Sequence, residues 1–166
     1  MWKPGLKVQK ELNWQASVYV DHVFLSLAEE ALNSKKDFAY EGHFSKDESW
    51  EIVDRFKRAG YNIHLVFLGL RSPELSSNRV LIRATEGGHH VDELTLRDNF
   101  YGNLLQLNMR FKVFDTVLIM DTSEIEHLEL AKIEKGIIVY FLPRQNLPDW
   151  FIVFLPDITA RIPDKR

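Results

Sequence analysis

The chain has 166 residues, of which 45% are hydrophobic and 27% charged, and this length and balance fit one globular domain with a core of its own. The absence of cysteine excludes disulfides, thiolate zinc sites and a cysteine nucleophile, and it suits a reducing compartment, so we expect a cytoplasmic protein. A formal net charge of -3 argues against general nucleic-acid binding, because contacts with the phosphate backbone need a basic surface.

The start of the chain predicts no secretory signal. Residues 1–10 carry three lysines with no apolar stretch behind them. The longest apolar runs, residues 63–70 and 136–142, are far shorter than the roughly 20 residues that span a bilayer. We therefore expect no membrane partner.

The first predicted elements are a helix and a short strand. Apolar residues recur at helical spacing from Val20 to about Asn33, which predicts an amphipathic helix. Asp37 to Glu41 is short, aromatic and followed by Gly42, a pattern typical of a buried strand. Glu41 is then the residue that emerges at the carboxyl end of this strand.

A crossover helix and a second strand follow. Ser45 and Glu48 have the spacing of a capping box, and they predict a helix from about Lys46 to Ala59. The nearly continuous apolar run from Ile63 to Leu70 is typical of a strand that is covered on both faces of a parallel sheet. Strand, helix and strand together indicate a parallel crossover unit.

Residues 73–109 predict a helical hairpin. Its first helix begins at Pro73, a residue that suits the first helical position, and stops at the glycine pair Gly87 and Gly88. Its second helix begins near Asp92 and carries a stripe of apolar residues.

The remaining elements complete an α/β pattern. Residues 116–120 predict a third strand that ends at Asp121, and residues 128–142 predict a β-hairpin ahead of a proline-rich tail. Strands that alternate with helices predict a three-layer α/β/α sandwich with a mainly parallel sheet. Because ligands bind such sheets at the carboxyl ends of the strands, we expect Glu41, Arg71 and Asp121 near the ligand-binding edge.

The most specific stretch of the chain, residues 72–103, reads SPELSSNRVLIRATEGGHHVDELTLRDNFYGN. Together with DFAYE at residues 37–41, AGYNIHLVFLGL at residues 59–70 and DTS at residues 121–123, it resembles the zeta-toxin family of P-loop kinases. The resemblance covers roughly residues 20–123 of a single domain spanning residues 1–166. It implies a divergent segment at residues 1–19, a helical lid at residues 73–109, and a hairpin with its tail at residues 124–166.

The lid carries the candidate phosphate-binding residues. Arg79 and Arg83 lie four residues apart and so share one helix face, where two guanidinium groups can bind phosphate together. The resemblance implies that Arg79, Arg83, His89 and Arg97 contact the phosphates of a nucleotide or another phosphate-bearing small molecule. The residues alone leave open that both lid arginines are solvated and that Arg83 pairs with Glu86.

Four further positions have assigned roles. The resemblance implies that Glu41 binds the hydroxyls of a sugar-like substrate, and the alternative is a carboxylate paired with a helix terminus. Gly87 and Gly88 are structural, because glycines let a helix end in a left-handed conformation. Asp121 is interpreted as a turn-former at the end of its strand. The sequence assigns no metal ligands and no catalytic residue.

The phosphate-binding loop of these kinases is missing from the sequence. That loop needs G-x-x-x-x-G-K-[ST], and none of the eight glycines is followed by lysine. ATP and magnesium are implied by the family only. Asn99 also stands where the family usually has an arginine.

We therefore expect a truncated or degenerate kinase whose family activity is ATP-dependent phosphoryl transfer to a small molecule such as a nucleotide sugar, and which is inactive by itself. Two alternatives stay open. One is a protein-interaction or self-associating module, for example a homodimer, and the other is an active kinase whose loop lies upstream of Met1.

A missing loop implies a missing strand. In the family, the strand ahead of the loop runs between the strands that match residues 63–70 and 116–120, and each buried backbone group left without a partner costs about 1–3 kcal/mol. We expect the slot to be filled by Trp150 to Leu155, by part of the segment before Val20, or by a second copy of the chain. Trp150 to Leu155 is favoured because it is short and apolar and because prolines flank it.

Overall fold

A computed structural model describes residues 22–85 and 91–163 of the chain. The chain divides into two compact units, Met1–Glu41 and Gly42–Arg166. In the first unit, residues 22–34 form helix α1. The second unit contains helices α2 (Glu51–Arg58), α3 (Pro73–Thr85), α4 (Glu93–Arg110), α5 (Asp149–Phe154) and α6 (Pro156–Thr159), and strands β1 (His64–Gly69), β2 (Thr116–Asp121), β3 (Leu128–Glu134) and β4 (Ile137–Phe141).

Helix α1 confirms the first predicted element over its described residues, although the predicted start at Val20 lies outside them. The helix ends where Lys35 takes a positive φ of 52°. The backbone N–H of Lys36 then donates to the carbonyl of Ala31 at 3.0 Å, which closes the last turn.

The predicted strand at Asp37–Glu41 is wrong, because residues 36–41 form neither helix nor strand. Its aromatic residues pack within the first unit instead. The ring centroids of Phe38 and Tyr40 lie 5.9 Å and 4.8 Å from that of Phe24 on α1. Partial burial in this cluster raises the pKa of the Tyr40 phenol. The alternating aromatic pattern therefore reflects a ring cluster and not a position in the sheet.

The second unit is built on one four-stranded sheet in the order β1-β2-β3-β4. Strands β1 and β2 are parallel, while the β2–β3 and β3–β4 pairs are antiparallel. The mixed α/β fold is confirmed, but a mainly parallel sheet is wrong for the described strands, since the hairpin contributes half of them. That hairpin forms as predicted, with Lys135 and Gly136 at positive φ in the tight turn.

No segment separates β1 from β2. His64 lies opposite Thr116 and Gly69 lies opposite Asp121, so the two strands pair with each other along their whole length. The predicted slot and its filling strand are therefore wrong, because each strand satisfies the backbone groups of the other. Trp150 to Leu155 lies mainly in helix α5, which begins after Pro148 with Asp149 in its first turn. Proline followed by an acidic residue is a helix start, and here it overrides the β-forming composition.

The two faces of the sheet differ in burial. On one face, Val117 and Ile119 of β2 are completely buried, and α5 packs there through Trp150, whose ring lies 6.4 Å from that of Phe67 on β1. On the other face, Val66 and Leu68 of β1 remain 58% and 54% exposed. A third layer on that face, and with it the predicted sandwich, stays a prediction.

The start of α2 differs from the predicted capping box. A short 3-10 turn, Asp47–Trp50, precedes the helix, and no side chain caps it at Lys46. The hydroxyl of Ser45 donates instead to the side-chain carbonyl of Asn99 on α4, at 2.8 Å. The Ser45 side chain therefore bonds α4 instead of capping α2 as the local pattern predicts.

Candidate functional site

The carboxyl ends of β1 and β2 meet at one edge of the sheet, which is where α/β proteins bind ligands. The last residues of the two strands, Gly69 and Asp121, are direct partners across the parallel ladder. The backbone N–H and the hydroxyl of Thr122 both donate to the carbonyl of Gly69, at 2.9 Å and 3.1 Å. The chain leaving β2 is therefore tied to the end of β1.

A second set of contacts joins the two loops beyond this edge. The N–H and hydroxyl of Ser123 donate to one carboxylate oxygen of Asp121, at 2.8 Å and 2.5 Å. The backbone N–H of Arg71 donates to the Ser123 hydroxyl at 2.9 Å, and the Arg71 guanidinium pairs with Glu124. These bonds hold the turn that follows β2, and they place the backbone of Arg71 beside it.

Trp150 closes the edge from the buried side. Its indole N–H donates to the second carboxylate oxygen of Asp121 at 3.3 Å, so both oxygens of this carboxylate have partners within the chain. Its ring lies against Gly69 so closely that a β-carbon on residue 69 would overlap the ring. Trp150 is only 3% exposed. The space next to the end of β1 is therefore filled by protein.

The two lid arginines have different surroundings. Arg79 on α3 is half-buried and reaches the sheet edge, where its guanidinium donates to the backbone carbonyl of Thr122 at 2.5 Å and to that of Ser123 at 3.5 Å. Arg83, one turn further along, is exposed and makes no hydrogen bond or ion pair with the described residues. Arg79 thus stabilises a loop, whereas the side chain of Arg83 is exposed.

Arg97 joins helices α3 and α4. Its guanidinium lies 3.5 Å from the carboxylate of Glu74 at the start of α3 and 5.8 Å from the ring of Tyr101. The backbone N–H of Glu74, the hydroxyl of Ser72 and the charge of Arg97 together hold the pKa of Glu74 below its usual value. Arg97 therefore has an acidic partner within the hairpin.

Asp92 caps helix α4. Its carboxylate accepts from the backbone N–H of Thr95 at 2.9 Å and from the Thr95 hydroxyl at 2.7 Å, and these bonds lower the pKa of Asp92. The predicted start of the second lid helix is confirmed with its cap.

Comparison with known families assigns the chain to a family. The family model for zeta toxins matches residues 10–128, well over half of the 166 residues. The chain belongs to the zeta toxin family. Membership suggests a P-loop-kinase-like function, since the family is nucleotide-binding. Comparison with curated proteins and with solved structures gave no significant match.

The described edge does not fit the nucleotide and magnesium that the zeta toxin family implies. Both Asp121 oxygens and the Arg79 guanidinium are bonded within the chain, and Trp150 fills the space beside Gly69. In the described part of the chain, no three His, Asp or Glu side chains cluster in a way that could hold a metal ion. We therefore assign no step to these groups.

Several predicted zeta-toxin residues cannot be placed at this edge. Gly87, Gly88 and His89 lie outside the described residues. Glu41 is an exposed residue at the end of the first unit, and its binding of substrate hydroxyls stays a prediction. Among residues 22–85 and 91–163, no helix has the length and apolar character that a membrane crossing requires.

Sequence reasoning missed two features of this zeta-toxin domain. The first is Trp150, whose only signal is the helix start at Pro148 and Asp149. The second is the bond between Asn99 and Ser45, which lie far apart in the sequence. This contact is remote in sequence, and no local pattern indicates it.

Proposed function

We propose that these 166 residues form a zeta-toxin-family domain that transfers no phosphoryl group by itself. The observation that carries the proposal is the closure of the sheet edge by Trp150, which contacts Gly69 and bonds Asp121. Direct pairing of β1 with β2 supports it, because a loop-bearing strand has no position between them. The sequence adds that no glycine is followed by the lysine a P-loop requires.

We further propose that weak binding of a phosphate-bearing small molecule remains, centred on Arg83. Its exposed guanidinium has no partner among the described residues, and arginine keeps its charge and its planar fork at any physiological pH. His89 and Arg97 are proposed to assist, and Glu41 to bind substrate hydroxyls, as the family resemblance implies. A single exposed arginine supports weak affinity only, since exposed ion pairs contribute about 0–1 kcal/mol.

Calorimetry and a turnover assay test both parts. We expect the 166-residue chain to bind magnesium-ATP with a Kd weaker than about 1 mM and to phosphorylate no nucleotide sugar. Arg83→Ala should remove any measurable binding, whereas Arg58→Ala, at an exposed arginine on α2, should not change it. Turnover by the chain, or magnesium-dependent binding in the micromolar range, would overturn the proposal.

A second candidate function is self-association. The exposure of Val66 and Leu68 favours it, because both side chains lie on β1, which is the edge strand of the described sheet. Exposed apolar edge strands recruit further strands.

A further inference from the structure

Strand β1 lies at one edge of the described sheet, and its outer hydrogen-bonding groups are unpaired within that sheet. It is the first strand in the sheet order, and no described strand pairs with its outer side. Its six residues, HLVFLG, include no lysine, proline or acidic residue. These are the devices that usually keep edge strands from pairing with other chains. The edge is therefore chemically competent to accept another strand.

The direction of the backbone groups on β1 follows from its bonds to β2. The carbonyls of Ile63 and Gly69 accept from the backbone of β2 and its flanking residues. Because backbone groups alternate along a strand, those of His64, Val66 and Leu68 point away from β2, toward the open edge. The side chains of the same three residues are exposed.

We propose that β1 pairs with β1 of a second copy of the chain, antiparallel and with the two-fold axis at Val66. In this register Val66 lies opposite Val66 of the other copy, and His64 lies opposite Leu68. All three are outward-pointing positions, so the two strands exchange about six backbone hydrogen bonds. The exposed side chains of both copies then lie on one face of a continuous sheet. The proposal rests on self-association and is independent of the loss of phosphoryl transfer.

Charge and regularity favour this pairing. Residues 63–70 carry no Asp, Glu, Lys or Arg, so two copies meet without like charges facing each other. The β1–β2 ladder is regular along all its pairs, whereas the β3–β4 ladder shifts register between Lys132 and Ile133. Such irregularities twist an edge and discourage pairing, which makes β4 the poorer surface.

A single-cysteine variant tests the register, because the natural chain contains no cysteine. Directly opposed residues of an antiparallel pair have their α-carbons about 5.5 Å apart, within the range that a disulfide spans. We expect Val66→Cys to form a covalent dimer under mild oxidation at least about tenfold faster than Ile125→Cys, a matched variant at a loop residue that is 98% exposed. Equal rates for the two variants would overturn the proposed register.

Light scattering on the unaltered chain and on two variants with opposite charges at residue 66 completes the test. The unaltered chain should show a dimer fraction that rises between about 10 μM and 1 mM. Val66→Lys and Val66→Glu should each be monomeric, with far-UV circular dichroism confirming the fold, and an equimolar mixture should restore the dimer. A chain that stays monomeric throughout this range overturns self-association altogether. A dimer that neither variant disrupts overturns the β1 pairing alone, and neither outcome bears on phosphoryl transfer.

Discussion

The ring of Trp150 lies against Gly69 and leaves no room for a β-carbon at that position. Gly69 is the last residue of β1, where an α/β fold would place the phosphates of a ligand. In this zeta-toxin-family chain the same position is used to pack helix α5 onto the sheet. The Trp150–Gly69 contact therefore contributes both to stability and to closure of the edge, and its energy can be measured.

Gly69→Ala should destabilise the domain by about 1–3 kcal/mol, since the new methyl group overlaps a buried ring. Trp150→Leu alone should cost about 2–4 kcal/mol through lost packing. In the double variant the smaller side chain leaves room for the methyl group, so the combined loss should fall short of the sum by about 1–2 kcal/mol. Urea denaturation of the four proteins gives this coupling energy.

Gly60 provides the control for this cycle. It takes a positive φ of 86° and has no atom within 4 Å of a potential β-carbon. Gly60→Ala should therefore be destabilising for backbone reasons alone and should add to Trp150→Leu within about 0.5 kcal/mol. The packing argument would be wrong if the loss of stability from Gly69→Ala added to that from Trp150→Leu while the loss from Gly60→Ala did not.

Substitutions of Arg79 and Arg83 should have different effects on the free energy of unfolding. Arg79→Ala removes the donor to the carbonyls of Thr122 and Ser123, and we expect it to lower the free energy of unfolding by about 1–2 kcal/mol. Arg83→Ala should change it by less than about 0.5 kcal/mol, because this residue is exposed. Denaturant titration measures both. If Arg83→Ala were the more damaging variant, the assignment of Arg79 as the structural residue would be wrong.

Helix α4 should depend on Asn103 for its docking. The side-chain carbonyl of Asn103 accepts from the backbone N–H of Phe44 at 2.7 Å. Asn103→Ala leaves this part-buried donor without its partner, at an expected cost of about 1–2 kcal/mol. Hydrogen exchange should show the Phe44 amide losing protection. Asn146→Ala is the control, since the Asn146 side chain makes no hydrogen bond with the described residues.

Elements with a strong local signal could be predicted from the sequence. The hairpin turn at Lys135 and Gly136 requires two residues at positive φ, and the glycine makes it recognisable. The lid helices begin at Pro73 and after the cap Asp92, both of which are local signals. The apolar runs of β1 and β2 predicted the strands themselves but not the burial of β1, since Val66 and Leu68 are exposed on one of its faces.

Elements that depend on tertiary partners could not be predicted in the same way. The segments 37–41 and 150–155 both contain aromatic residues that favour strands, yet one forms a ring cluster with Phe24 and the other lies mainly in a helix. Arg79 and Arg83 share a helix and a residue type, and only the position of the β2 loop distinguishes them. Secondary-structure propensity is a weak guide wherever tertiary contacts determine the conformation of a segment.

The cap of the second lid helix should make the lid sensitive to acid. Bonds from the N–H and hydroxyl of Thr95 to the Asp92 carboxylate lower the pKa of Asp92 in the folded protein. A lowered folded pKa means that the stabilisation is fully present above the unfolded pKa, near 4, and is lost as the pH falls through the folded pKa. We expect the amides of the first turn of α4 to exchange faster, relative to global unfolding, at about pH 3 than at pH 7. Asp92→Asn retains a capping side chain without the titrating proton, so its first turn should keep the same relative protection at both pH values. If the variant and the natural chain lost protection equally in acid, another group would be responsible, and Glu74, whose pKa is also lowered, would be the next to replace.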